Sequence, residues 1–121
     1  MKLKKIAIAN KVLLRLYRVS GIPFPISCKL FMLKKKLQPF IDLQAEMENS
    51  ILKEKNAIGE DGTINMTAEI RSKFADILDS DVEYEENPID LPVNAEIVEK
   101  LGITGEVIDQ LDGFVNFIYE E

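Results

Sequence analysis

A long heptad-like spacing of apolar residues is the feature that most constrains the fold of this 121-residue chain. Ten positions follow one another at alternating intervals of four and three residues, and only Gln44 and Glu54 among them are not apolar. The positions are Ile26, Leu30, Leu33, Leu37, Phe40, Gln44, Met47, Ile51, Glu54 and Ile58. This spacing draws one stripe along an α-helix. We therefore expect a helix of about 30 residues and about 45 Å, whose stripe another helix or a partner chain must cover.

Pro39 lies in the middle of this predicted helix. A proline removes one helical hydrogen bond and clashes with the preceding turn. The sequence therefore predicts a kink or a break near Leu37–Phe40.

The remaining segments predict a mainly helical α+β fold. Alternating polarity indicates a short strand at Lys2–Ile8, which would pair with the extended region Val82–Val93 in a sheet of two or three strands. A helix at Thr67–Asp79 would form an antiparallel hairpin with the long helix. The other predicted helices are Asn10–Val19 and, as a C-terminal helical hairpin, Ala95–Leu101 and Thr104–Ile118.

Charge divides the chain into a basic third, residues 1–41, and an acidic remainder, residues 42–121. The first segment holds ten of the 15 Lys and Arg residues and no acid, whereas the second holds all 21 Asp and Glu residues. We treat residues 1–121 as one domain. The two segments can neutralise each other across the fold, or offer oppositely charged faces to partners.

The charged clusters are the candidate partner-binding residues. On the basic side these are Lys29, Lys34, Lys35 and Lys36, and on the acidic side Asp79, Asp81, Glu83, Glu85 and Glu86. The interpretation that we favour is a solvated face that pairs with the acidic half of the same chain or with a second copy. The alternative is nucleic-acid binding, because aromatic residues near the lysines (Tyr17, Phe24 and Phe31) can stack on bases.

The composition argues against catalysis. The chain has no His, which removes the Ser-His-Asp, Cys-His and His-metal designs. The single cysteine, Cys28, is interpreted as a packed thiol. The acids of the Asp79–Glu86 stretch alternate along one segment, which is typical of a solvated face and not of a metal site. We predict no catalytic residue, no metal and no cofactor.

A helix-turn-helix pattern is present at Ile97–Leu111, but its second helix carries Glu106, Asp109 and Asp112 and no basic residue. Phosphate would repel such a helix, so we interpret the pattern as a hairpin that closes the core. No stretch is long and apolar enough to span a membrane. We expect a cytoplasmic protein without a membrane partner.

The order of features resembles an uncharacterised family of small tailed-phage and prophage proteins. The matching residues are Pro25–Leu30, Ser50–Lys55, Glu60–Ile64, Phe74, Leu78–Glu83, Pro88-Ile89, Leu91, the turn ending at Thr104, Leu111 and Phe117-Ile118. The resemblance spans most of the chain. It implies a phage or mobile-element origin and a helical hairpin with a small sheet, and it carries over no activity, cofactor or catalytic residue.

These observations predict a non-enzymatic interaction protein of phage or mobile-element origin. It would act in virion or tail assembly, or bind and block a host defence protein in the host cytoplasm. Its partner would be a protein, either a second copy in a homo-oligomer or a host or phage protein. The alternative is a nucleic-acid or nucleotide-binding module that uses the basic N-terminal third.

Overall fold

The computed structural model of the chain describes residues 1–120. Within this range it is a mainly helical α+β fold, as predicted, with five helices and one small sheet. The elements follow in the order α1 (Leu3–Leu16), α2 (Phe24–Glu54), α3 (Ala68–Leu78), β1 (Ile89–Val93), α4 (Ala95–Leu101), α5 (Gly105–Gln110) and β2 (Val115–Tyr119).

Helix α2 confirms the predicted long helix and spans 31 residues. It continues through Pro39, so the chain does not break there. Pro39 itself is exposed, whereas Leu37 is buried in the hydrophobic core and Phe40 packs against it. The helix is therefore packed on the core on both sides of the proline. The bend expected at Pro39 stays a prediction.

The predicted N-terminal strand is wrong, because residues 3–16 form the single helix α1. Ile6, Ala9, Leu13 and Leu16 are all buried, so the helical spacing extends through the segment whose polarity also alternates. The predicted pairing with the acidic half is reduced to one bridge between Lys2 and Asp81. Backbone hydrogen bonds flank this bridge, from Leu3 N to Ser80 O at 2.9 Å and from Val82 N to Met1 O at 2.7 Å.

The sheet consists of β1 and β2, which pair in parallel from Ile89 opposite Val115 to Val93 opposite Tyr119. Helices α4 and α5 supply the crossover that parallel strands require. The helix predicted over Thr104–Ile118 is therefore wrong in its second half. Helix α5 ends at Gln110, Gly113 turns the chain at a φ of +87°, and the buried Phe114 leads into β2.

The main core lies between α1, the first half of α2, the sheet and the α4–α5 hairpin. Its fully buried side chains include Leu13, Leu30, Leu37, Leu91 and Phe114. A second, smaller cluster at the far end of α2 joins Leu52, Ala57 and Ile70. Helix α2 contributes side chains to both clusters and so connects them.

Helix α3 confirms the predicted helix at Thr67–Asp79 and packs against α2. The Thr67 hydroxyl accepts a hydrogen bond from Ile70 N at 3.2 Å, which caps the helix. Coverage of the heptad stripe is incomplete, however, because Met47 remains 38% exposed between the two clusters. Leu43, which is next to the stripe, is 41% exposed. No helix within residues 1–120 is long and apolar enough to cross a membrane.

Candidate interaction site

The four candidate lysines of α2 divide between two faces of the helix. Lys29 and Lys36 are seven residues apart and lie on the side of β1. Lys29 Nζ donates to the Asp90 carbonyl oxygen at 2.8 Å, and Lys36 Nζ lies 3.3 Å from Glu86 Oε2. Lys36 therefore pairs with an acid of the same chain, whereas Lys29 binds a backbone carbonyl of β1.

Lys34 and Lys35 belong to a different surface, where they meet aromatic rings. Lys34 Nζ lies 6.0 Å from the ring centroid of Tyr17, and Lys35 Nζ lies 5.4 Å from that of Phe31. The two rings are 6.0 Å apart, and the Arg18 guanidinium lies 5.9 Å from Tyr17. We call Tyr17, Arg18, Phe31, Lys34 and Lys35 the cation–aromatic patch.

The end of α1 and the start of α2 build this patch together. Tyr17 follows the last residue of α1, and a turn of six residues brings the chain back so that Tyr17 packs on Phe31. Gly21 makes the turn feasible, since its φ of +79° is a conformation that other residues avoid. Cation–ring distances near 6 Å are attractive, and they keep the ammonium and guanidinium groups beside the rings.

A shallow groove of about 410 Å³ runs from the patch along α2, past Gln38 and Pro39 to Asp42. Lys34 Nζ donates to Gln38 Oε1 at 3.2 Å, and Gln38 Nε2 donates to Asp42 Oδ1 at 2.8 Å. This chain of contacts orients Lys34 and places one carboxylate at the far end of the groove. The groove is thus basic at one end and acidic at the other.

Phe24 extends the exposed apolar surface beside the patch toward the N-terminus of α2, whereas Met32 lines a groove on the β1 side of the helix with Lys29, Lys36 and Asp90. Phe31 is 44% exposed, Met32 57% and Phe24 78%. Phe24 and Phe31 lie on the side of the helix away from the buried stripe. Cys28, half-buried and free, lies between them in the sequence. Exposed aromatic side chains next to an arginine, as found for Phe31, Tyr17 and Arg18, are typical of protein interfaces.

The acidic candidates also divide. Asp79 Oδ1 lies 3.6 Å from Lys2 Nζ and Glu86 pairs with Lys36, so both contribute to the fold. Asp81, Glu83 and Glu85 are exposed and form no ion pair with any residue in the 1–120 range. They form a row along one side of an extended segment that the structure does not make into a strand.

The side chains that alternate with this acidic row face the core. Val82 and Tyr84 are half-buried, and the Tyr84 ring packs on those of Phe40 and Phe114 at centroid distances of 5.8 and 5.4 Å. Burial, and secondarily the Glu86 carboxylate, raises the pKa of the Tyr84 hydroxyl above its ordinary value of 10.0. The predicted alternation of the segment is confirmed.

A buried polar side chain lies between α1 and α2. Asn10 is 7% exposed, and its Oδ1 has no hydrogen-bond partner in the described part of the chain. It lines a small cleft of about 210 Å³ together with Gln44, the residue that interrupts the apolar stripe. Gln44 stands out in the sequence because it interrupts the apolar stripe, but Asn10 does not, because nothing local distinguishes a buried asparagine from an exposed one.

A second basic groove, of about 650 Å³, lies where the start of α1 meets α5. Its lining includes Lys2, Lys4 and Lys5 but also Asp109. Since Lys2 is already paired with Asp79, this groove carries less free positive charge than the lysine count suggests.

The helix-turn-helix pattern forms the α4–α5 hairpin, whose Ile97, Leu101 and Val107 are buried in the main core. Glu106 and Asp109 are exposed on α5, so the hairpin packs as expected and presents acids outward. Across residues 1–120, no three metal-ligating side chains come together.

The sequence identifies the four lysines as candidates but does not show that they lie on two different faces of α2. The spacing of Phe31, Lys34, Lys35 and Gln38 at three and four residues was the available signal, because it places them on one helix face. The chain matches no protein-family model, no curated protein and no solved structure with which it was compared. The resemblance to small phage proteins therefore stays a prediction.

Proposed function

We propose that this chain is a non-enzymatic interaction protein whose cation–aromatic patch binds an acidic surface of another protein. The observation that carries the proposal is the exposed Phe31, whose ring has Lys35 at 5.4 Å and Tyr17 at 6.0 Å, on a helix face that the fold leaves uncovered. Exposed aromatic residues with adjacent Arg and Lys supply both apolar contact and charge complementarity.

The arrangement of the patch favours a protein over a single-stranded nucleic acid. Bases stack on open ring faces, but the Tyr17 ring is already approached by Arg18, Lys34 and Phe31. Asp42 at the end of the groove would also repel a phosphate chain that continued along it.

The phage or mobile-element origin that the resemblance implies restricts the class of protein to which the partner would belong. A phage or mobile-element protein would find this acidic surface on a component of the virion or tail, or on a host defence protein in the host cytoplasm. Both roles belong to the proposal, and the partner's identity separates them. The exposed row Asp81, Glu83 and Glu85 offers a second charged face for the same assembly.

Site-specific photocrosslinking in bacterial cells tests the proposal. A photoreactive phenylalanine analogue at Phe24, which is 78% exposed, lies beside the patch without entering the core. We expect one discrete adduct with a protein, which disappears when Lys35→Glu or Phe31→Ala is added. Lys53→Glu is the matched control, because it makes the same charge change on an exposed part of the same helix and should leave the adduct intact.

A nuclear magnetic resonance titration separates the two classes of partner. An acidic peptide with alternating Glu and Leu residues should shift the signals of Phe31 and Lys35, and the shifts should weaken with salt. A thymidine oligonucleotide should not compete. Shifts caused by the oligonucleotide alone, together with a missing or patch-independent adduct, would contradict the proposal in favour of nucleic-acid binding.

A further inference from the structure

The outer edge of β2 carries unpaired backbone groups that point to a second binding surface. In a parallel pair, alternate residues of each strand direct both their N–H and C=O groups toward the partner strand. Ile89 N donates to Phe114 O at 2.9 Å, and Glu120 N donates to Val93 O at 2.7 Å. With the observed register, the backbone groups of Val115, Phe117 and Tyr119 therefore point away from β1.

The opposite edge of the sheet is protected. The outward groups of β1 belong to Asp90 and Pro92, and the Asp90 carbonyl already accepts a hydrogen bond from Lys29 Nζ at 2.8 Å. Pro92 has no N–H to offer. A proline and a lysine are devices by which proteins prevent a strand edge from pairing with another chain.

The β2 edge has neither device. Val115 N donates to Leu111 O at 3.0 Å, but the outward N–H and C=O groups of Phe117 and Tyr119 form no hydrogen bond within residues 1–120. The side chains there are apolar and accessible, with Ile118 44% and Tyr119 59% exposed. One edge of this two-stranded sheet is thus closed and the other is open for pairing.

We infer that β2 pairs with β2 of a second copy, antiparallel and centred on Phe117, to give one continuous sheet across a two-fold axis. In this register the N–H and C=O groups of the two Phe117 residues bond reciprocally, and each Tyr119 N–H reaches the Val115 carbonyl of the other copy. A complete ladder would also use the Val115 N–H, directed to the Tyr119 carbonyl of the other copy. This N–H already donates to Leu111 O, so the proposed pairing relies on the N–H groups of Phe117 and Tyr119.

Charge complementarity favours a second copy over an unrelated strand. The two-fold register places Glu120 of one copy opposite Phe114 of the other. Lys5 Nζ lies 5.9 Å from the Phe114 ring centroid and has no carboxylate within ion-pair distance in residues 1–120. Each copy therefore supplies a cation where the other supplies an anion. This surface is separate from the cation–aromatic patch, so the result of testing one proposal does not decide the other.

Sedimentation equilibrium of the full chain tests this dimer at concentrations up to about 1 mM, which populates even weak complexes. We expect the mass to rise with concentration to twice the 13.7 kDa of one chain. Phe117→Pro should hold the protein at the monomer mass, because it removes the central outward N–H. It leaves the inward N–H groups of Asn116 and Ile118, which pair with β1, untouched. Circular dichroism verifies that the variant is folded.

The main competing dimer would use the exposed apolar side chains of Leu43 and Met47 on α2. A double substitution, Leu43→Glu with Met47→Glu, should leave the β2 dimer intact. A monomer at every concentration would overturn the inference. So would a dimer that survives Phe117→Pro and is lost in the α2 variant.

Hydrogen exchange gives a readout that does not depend on any variant. The amides of Phe117 and Tyr119 should become slower to exchange as the concentration rises, while those of Asn116 and Ile118 are protected throughout. A concentration series in which the outward amides stay fast while the mass doubles would also overturn the inference.

Discussion

Replacing Pro39 by alanine should stabilise the protein, because the proline lies within a continuous helix. Its missing N–H leaves the Lys35 carbonyl without its helical donor, and its ring crowds the preceding turn. Proline in a helix interior costs about 3 kcal/mol relative to alanine. About 0.4–1 kcal/mol of this is offset because proline also restricts the unfolded chain. Pro39 is exposed, so little burial is lost. The expected gain in the free energy of unfolding is about 2 kcal/mol.

Urea denaturation followed by far-ultraviolet circular dichroism measures this gain as a higher midpoint at an unchanged slope. In thermal unfolding it corresponds to a rise of roughly 8 °C for a chain of this size. Asn49→Ala is the control, an exposed position on the same helix where propensity alone predicts a gain of about 0.5 kcal/mol. If Pro39→Ala were neutral or destabilising, the packing of Leu37 and Phe40 would depend on the proline geometry, and the reasoning would be refuted.

Three further predictions concern titrating and buried groups. Burial raises the pKa of the Tyr84 hydroxyl above 10.0, so the folded state holds this proton more tightly than the unfolded state does. The protein therefore loses stability as the pH rises above 10.0. Tyr84→Phe should abolish this part of the alkaline decrease in Tm. The hydrogen bond from Lys55, and secondarily its charge, lowers the pKa of Glu69 below 4.5. The stability that the Lys55–Glu69 contact provides is present above pH 4.5 and lost as the pH falls through the lowered pKa of Glu69. Glu69→Gln should therefore lower Tm at pH 7 and leave Tm unchanged in acid. A decrease in Tm of the same size at both pH values would contradict this prediction. Asn10→Leu should stabilise the fold by about 1–2 kcal/mol in urea unfolding, because it removes a buried oxygen that has no partner, and a loss of stability would show that water satisfies that oxygen.

The helices that could be predicted are those whose signals are local. The 4-3 stripe of α2, the Thr67 cap of α3 and the short α4 segment each carry their own periodicity and end signals, and all three form where expected. The break at Pro39 does not occur, because a local preference against helix is weaker than the packing of Leu37 and Phe40 on either side.

The two errors in the fold both concern short segments with ambiguous patterns. Residues 2–8 alternate in polarity and also continue a helical stripe, and burial against α2 decided for the helix. The C-terminal segment was assigned to a helix, although Val115, Phe117 and Tyr119 favour strands. It becomes β2 because its backbone forms hydrogen bonds with β1, which lies more than 20 residues earlier in the chain.

The charged clusters show the same division of information. Composition identified the candidate lysines and carboxylates, and helical spacing could have separated Lys29 and Lys36 from Lys34 and Lys35. Only the fold reveals that the first pair contacts Glu86 and Asp90 while the second pair meets Tyr17 and Phe31. Glu86, Asp90 and Tyr17 are distant in sequence from these lysines, so local spacing carries no information about them, whereas Phe31 is one helical turn from Lys35.

Local patterns were sufficient to predict helices α2 and α3 and the segregation of charge, because periodicity and composition act over neighbouring residues. Contacts between remote segments selected which apolar segments became helix or strand, which charges were paired, and which surfaces stayed open. Those outcomes depend on pairings such as Lys36 with Glu86 and β1 with β2, whose free energy exists only when remote parts of the chain meet.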